Sequence, residues 1–157
     1  MKSKSIRILQ AIGLSTLLGL TAQAHDKSAP LTDAQKSFLA QYEAVRAALA
    51  TDDLAAAKTA ATIVEKDLVA VAKEDTKAQP AADAAKKLSG ADSLKTARQA
   101  FKALSKRAVH LAGSQKGYYI ANCPMVEGGE GNWVQTTTKI NNPYFGKAML
   151  TCGSIKE

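Results

Sequence analysis

The 157-residue chain reads as a mainly α protein: an Ala-rich antiparallel helical bundle followed by a small, partly β, Gly/aromatic-rich C-terminal module. Two observations carry this reading. Residues 31–112 consist largely of Ala, Lys, Leu, Asp and Gln, with apolar positions at the three-four spacing of amphipathic helices. Residues 113–157 hold seven of the ten glycines, the only Trp and three of the four Tyr, and there the helical period stops.

The chain opens with Lys2, Lys4 and Arg7, then an apolar run from Ile8 to Leu20, then Ala22-Gln23-Ala24. This is the layout of a secretory signal peptide over 1–24, cleaved after Ala24. The run has 13 residues, against the roughly 20 that a helix needs to cross a bilayer, and no later segment is long and apolar enough to serve instead. Residues 25–157 are therefore expected as one soluble domain in a Gram-negative periplasm, without membrane insertion after cleavage.

Each helix has its own signature. Thr32 and Gln35 form a capping-box pair, and Phe38, Tyr42, Val45 and Leu49 give a helix over 33–50. Thr51 is read as the cap of a second helix, whose stripe Leu54, Ala57, Ala61, Val64, Leu68 and Val71 runs to about Lys73. Gln79-Pro80 opens a short third helix, because proline suits a first turn, and Ser89-Gly90 closes it. Asp92 or Ser93 caps the fourth, with Leu94, Ala97, Phe101, Leu104, Ala108 and Leu111 on one face and Gly113 at its end. Alanines along these seams permit close helix approach.

Past Gly113, Tyr118-Tyr119-Ile120 and Trp133 to Ile140 have the β-branched and aromatic content of strands. The Gly-rich stretch 128–132 lies between them and reads as a turn, since it lacks both the Lys-Ser/Thr of a phosphate loop and a dinucleotide fingerprint. Asn141-Asn142-Pro143-Tyr144-Phe145-Gly146 is a second turn.

The formal charge of +7 falls to +4 over 25–157, because three of the 21 Lys and Arg and none of the 14 Asp and Glu lie in 1–24. That balance, interspersed along helix faces, argues against a nucleic-acid partner. Catalysis has little support either, since no nucleophile elbow or H-E-x-x-H is present.

The sulfur atoms are the chemical feature. The only cysteines, Cys123 and Cys152, each have a methionine nearby, Met125 and Met149. Thiolates and thioethers are soft ligands that select Cu(I), so Cys123, Met125, Met149 and Cys152 are a candidate metal set. The alternative is a Cys123–Cys152 disulfide with no metal, clamping an interaction module that docks on an efflux or envelope partner. His110 is a further candidate ligand near the end of the fourth helix, in a row with Arg98, Lys102 and Lys106 opposite the apolar stripe, and expected to face water. His25 would become the mature N-terminus, able to chelate Cu(II) with its free amine.

Cys123-Pro124-Met125, Trp133, Ile140 to Gly146, Met149 and Cys152-Gly153 together resemble a family of uncharacterised exported bacterial domains. These occur alone or fused to the periplasmic adaptor (membrane-fusion) subunits of heavy-metal efflux systems of the resistance-nodulation-division type. The resemblance covers the layout of the whole mature chain, but its specific motifs lie in 118–157. It implies metal association, with copper the metal, on the same four sulfur residues, and a heavy-metal efflux adaptor or another periplasmic copper protein as partner. A related module follows Cys-Pro-Met with His-Pro; Val126-Glu127 stands there instead, which removes an imidazole and weakens any claim on Cu(II) or zinc.

Overall fold

The computed structural model describes residues 30–73, 75–129 and 131–156. The signal-peptide reading and His25 fall outside the described residues.

Helix α1, Asp33–Ala50, begins with the expected capping box: Thr32 Oγ1 accepts the Gln35 N–H at 3.3 Å, and Gln35 Oε1 accepts the Thr32 N–H at 2.9 Å. Helix α2, Leu54–Ala72, departs from expectation at its start, where Asp53 is the cap and takes the Ala56 N–H at 2.9 Å. Thr51 belongs to the end of α1, where its hydroxyl and its N–H both donate to the carbonyls of Ala47 and Ala48. A 3-10 turn, Thr76–Ala78, leads into α3, Gln79–Ser89, which has Pro80 in its first turn and stops at Gly90. Helix α4, Leu94–Ala112, is capped by Ser93 and ends at Gly113.

Each helix packs on the next, and α1 also meets α4. Short connections between helices that lie side by side make neighbours antiparallel. The predicted stripes are the core: Phe38, Tyr42, Val45, Leu49, Val64, Leu68, Phe101 and Leu104 are all buried. Among the described residues no helix is long and apolar enough to cross a membrane.

The tail holds a three-stranded antiparallel sheet in the order β2-β1-β3, with β1 at Tyr119–Asn122, β2 at Asn132–Gln135 and β3 at Ser154–Ile155. Strands β1 and β2 form the expected hairpin, Ile120 opposite Val134. However, β2 stops well short of Ile140. The buried Gln135 side chain donates through Nε2 to the Thr137 and Lys139 carbonyls at 2.6 and 2.9 Å, and this side-chain bond folds the chain away from the sheet. Strand β3 has no counterpart in the sequence reading.

The tail is welded to the bundle by aromatic rings and by polar clamps. Phe38, Tyr42, Phe101, Tyr144 and Trp133 contact one another in series, from α1 through α4 to β2, with centroid separations of 5.1 to 6.1 Å. Tyr42 is fully buried; its hydroxyl accepts the Val134 N–H at 3.2 Å and pairs with Ser105 Oγ at 2.9 Å. Burial raises its phenol far above the ordinary range, so it stays neutral. Tyr42→Phe should leave a buried strand N–H and a buried hydroxyl unpaired, and should cost about 2 kcal/mol in urea unfolding. An unchanged unfolding midpoint would show that these groups find other partners.

The row expected to face water on α4 instead receives the tail over part of its length. Arg98 donates through Nε to the Pro143 carbonyl at 2.9 Å and through Nη2 to the Leu49 carbonyl at 3.0 Å, and pairs with the Asp52 carboxylate. Lys102 Nζ donates to the Glu127 carbonyl at 2.7 Å. Asp52 sits in the α1–α2 turn at φ +61° and also accepts the Lys147 N–H at 3.2 Å. The guanidinium of Arg98 holds the Asp52 carboxyl below the usual carboxylate range. Arg46, nearly fully buried, grips Glu43 with two N–H groups and donates a third to the Asn141 carbonyl at 2.9 Å.

Candidate metal centre

Strands β1 and β3 bring the cysteines to one place. Asn122 lies opposite Ser154, so continuing the antiparallel register sets Cys123 opposite Gly153, one residue from Cys152. In a regular strand Cys152 would then point to the other face, because side chains alternate. Gly153 breaks that alternation with a φ of +129°. This sets the Cys152 thiol near the Cys123 thiol, and the two are free, not joined in a disulfide. The neighbouring Cys123 thiol, followed by desolvation, pushes the Cys152 thiol above its ordinary value.

Gly153 is also required by space. A Cβ there would fall 2.8 Å from both the Asn122 carbonyl oxygen and Trp133 Cη2. Gly131 plays a matching part on the other side, where a Cβ would collide with the Cys123 carbonyl. The Cys123 N–H donates to the Gly131 carbonyl at 3.0 Å, which closes the start of the Cys123-Pro124-Met125 turn against β2.

Cys152 is held from behind by Asn142, a fully buried residue. Asn142 Nδ2 donates to the Cys152 carbonyl at 2.9 Å, and Oδ1 accepts the N–H groups of Tyr144 and Phe145 at 2.8 and 3.3 Å. Its backbone N–H donates to the Leu150 carbonyl at 2.8 Å. The Asn-Asn-Pro-Tyr segment is thus both a turn and the support of the second cysteine. Sequence reasoning saw only the turn; an amide side chain in a turn signals local bonding, not a partner ten residues on.

The two thiols differ in access. Cys123 is 1% exposed, whereas Cys152 is partly open. Met125, two residues past Cys123, is 62% exposed, and Met149, at the end of the 3-10 turn Gly146–Met149, is 37% exposed. Both thioethers therefore reach solvent on the segments that carry the cysteines. His110 is exposed and lines a groove of about 310 Å³ between α3 and α4, with Lys77, Pro80, Ala81, Ala103, Lys106 and Arg107. Among the described residues no group of three or more His, Cys, Asp or Glu is gathered as a metal cluster. The two thiols are the sulfur groups that the β1–β3 register sets side by side.

Residues 38–117 match the family described as Protein of unknown function (DUF3347). The match runs from the first turns of α1 to Gly117 and ends before either cysteine. No curated protein and no solved structure matches the chain.

Proposed function

The chain belongs to the family described as Protein of unknown function (DUF3347), and from the thiol pair beyond the matched span we propose that it is an exported, periplasmic Cu(I)-binding protein of copper or heavy-metal homeostasis. One observation carries the proposal: the β1–β3 register brings Cys123 and Cys152, on separate segments, next to each other, and an exposed methionine follows or precedes each. Cys123 and Cys152 would hold the ion as thiolates, with Met125 and Met149 as neutral thioether donors. The role is binding, not catalysis. The resemblance in 118–157 supports a heavy-metal efflux adaptor or another periplasmic copper protein as the partner that gives or takes the metal.

Competition titration of the reduced protein against a Cu(I) chelator, without oxygen, is the test. One tightly held Cu(I) per chain is expected. Each thiol must lose its proton to ligate, so affinity should fall by about tenfold per pH unit for each proton displaced, about a hundredfold when both leave. Because the Cys152 thiol is raised, affinity should still be climbing as pH rises through neutrality. A stoichiometry of zero, or an affinity flat across pH, would remove the thiolate site.

The same adjacency supports a second reading, in which the pair is a structural disulfide and the bundle is a docking module. Thiol counting joined to Cu(I) titration after reduction separates them: thiols that bind Cu(I) once reduced favour the metal site, and a disulfide whose reduction unfolds the domain and yields no Cu(I) binding favours the clamp.

A further inference from the structure

We propose that the Cys123–Cys152 pair is a redox gate with a fixed order of attack, in which Cys152 reacts first, Cys123 resolves, and the resulting disulfide shuts the metal site. The gating half rests on the Cu(I) reading; the order of attack does not.

The geometry supplies three elements. The two cysteines extend adjacent antiparallel strands, Cys123 opposite Gly153 and so next to Cys152, and the two thiols are near enough to influence one another. Both backbones are already fixed, Cys123 through its N–H to Gly131 and Cys152 through Asn142, so closing the bond requires no refolding. Access is one-sided: Cys123 is 1% exposed, and Cys152 is partly open. An outside disulfide can therefore reach Cys152 and not Cys123.

The oxidant is a disulfide compound. Cys152, as the thiolate, attacks one sulfur of that disulfide, forming a mixed disulfide and expelling the first thiolate. Cys123, as the thiolate, then attacks Cys152 Sγ, forming the Cys123–Cys152 bond and expelling the second. Two protein thiols lose two electrons, and the oxidant's disulfide is reduced to two thiols that take up the two protons. Neither cysteine then has a thiolate to offer a metal. Reduction reopens the site.

The experiment uses the reduced protein with oxidised glutathione as the oxidant. Wild type should end with an internal disulfide and no lasting adduct. Cys123→Ser should keep one glutathione on Cys152, while folded Cys152→Ser should react at least tenfold more slowly, matching its burial. Peptide mapping of acid-quenched wild type covers the case of a variant that fails to fold: transient glutathione should appear on the Cys152 peptide alone. Adducts on Cys123 at a comparable rate, or two lasting adducts on wild type, overturn the order of attack. For the gate, the oxidised protein should lose Cu(I) binding and regain it after reduction and desalting; equal binding by both forms overturns it. If the reduced protein never binds Cu(I) while the adduct pattern holds, the metal reading and the gate both fail and the order of attack stands.

Discussion

Serine in place of Cys123 or Cys152 is expected to weaken Cu(I) binding by at least about a thousandfold, since each thiolate of a tight soft-metal site supplies several kcal/mol. The methionines should count for less. Met125→Leu and Met149→Leu keep volume and apolar character at exposed positions, so the fold should be unaffected and affinity should drop only in part. The two classes also separate by pH: thioether loss should leave the pH slope intact, and thiol loss should remove one proton from it. Chelator competition on the four single variants reads all of this. If the Cys123→Ser, Cys152→Ser double variant binds as wild type does, the site lies elsewhere.

Gly153→Ala should damage the site strongly without touching a sulfur atom. A methyl group would overlap the Asn122 carbonyl and the Trp133 ring, on a backbone held at φ +129°, where L-residues are strained. The combined cost is about 3 kcal/mol or more. Relief should come where the structure is weakest, at β3, which is two residues long. As that strand lifts, Cys152 leaves Cys123 and loses the neighbouring thiol that raises it most. Urea unfolding should show the lost stability, and pH-dependent alkylation should show Cys152 titrating closer to an ordinary thiol. Wild-type stability together with an unchanged alkylation profile would mean that Gly153 does not set the pair.

The helices were legible because their causes are local. The Thr32–Gln35 box, Pro80 in a first turn, the Ser93 cap and Gly113 each act within a few residues, and the apolar stripes need only a period. What escaped is long-range or carried by side chains. A Gln at 135 gives no warning that its amide will bond two carbonyls and end the strand. Arg98 lies in a row of cations that reads as solvated, and only the arrival of Pro143, 45 residues on, makes it a clamp. At the candidate site, the cysteines and methionines stood out by chemistry alone. Their meeting depended on the β1–β3 pairing and a turned Gly153, and a two-residue strand leaves too short a pattern to detect.

The Tyr42 hydroxyl has one more effect, on how the molecule meets copies of itself. Strand β2 is an edge of the sheet, and an exposed edge is a template on which another chain can add a strand and seed aggregates. Here α1 and α4 pack against β2, and the Tyr42 hydroxyl takes up the Val134 N–H that an incoming strand would need. The opposite edge, β3, is too short to hold a foreign strand in register. A sheet this small is thus closed to growth on both sides, on one by cover and on the other by length.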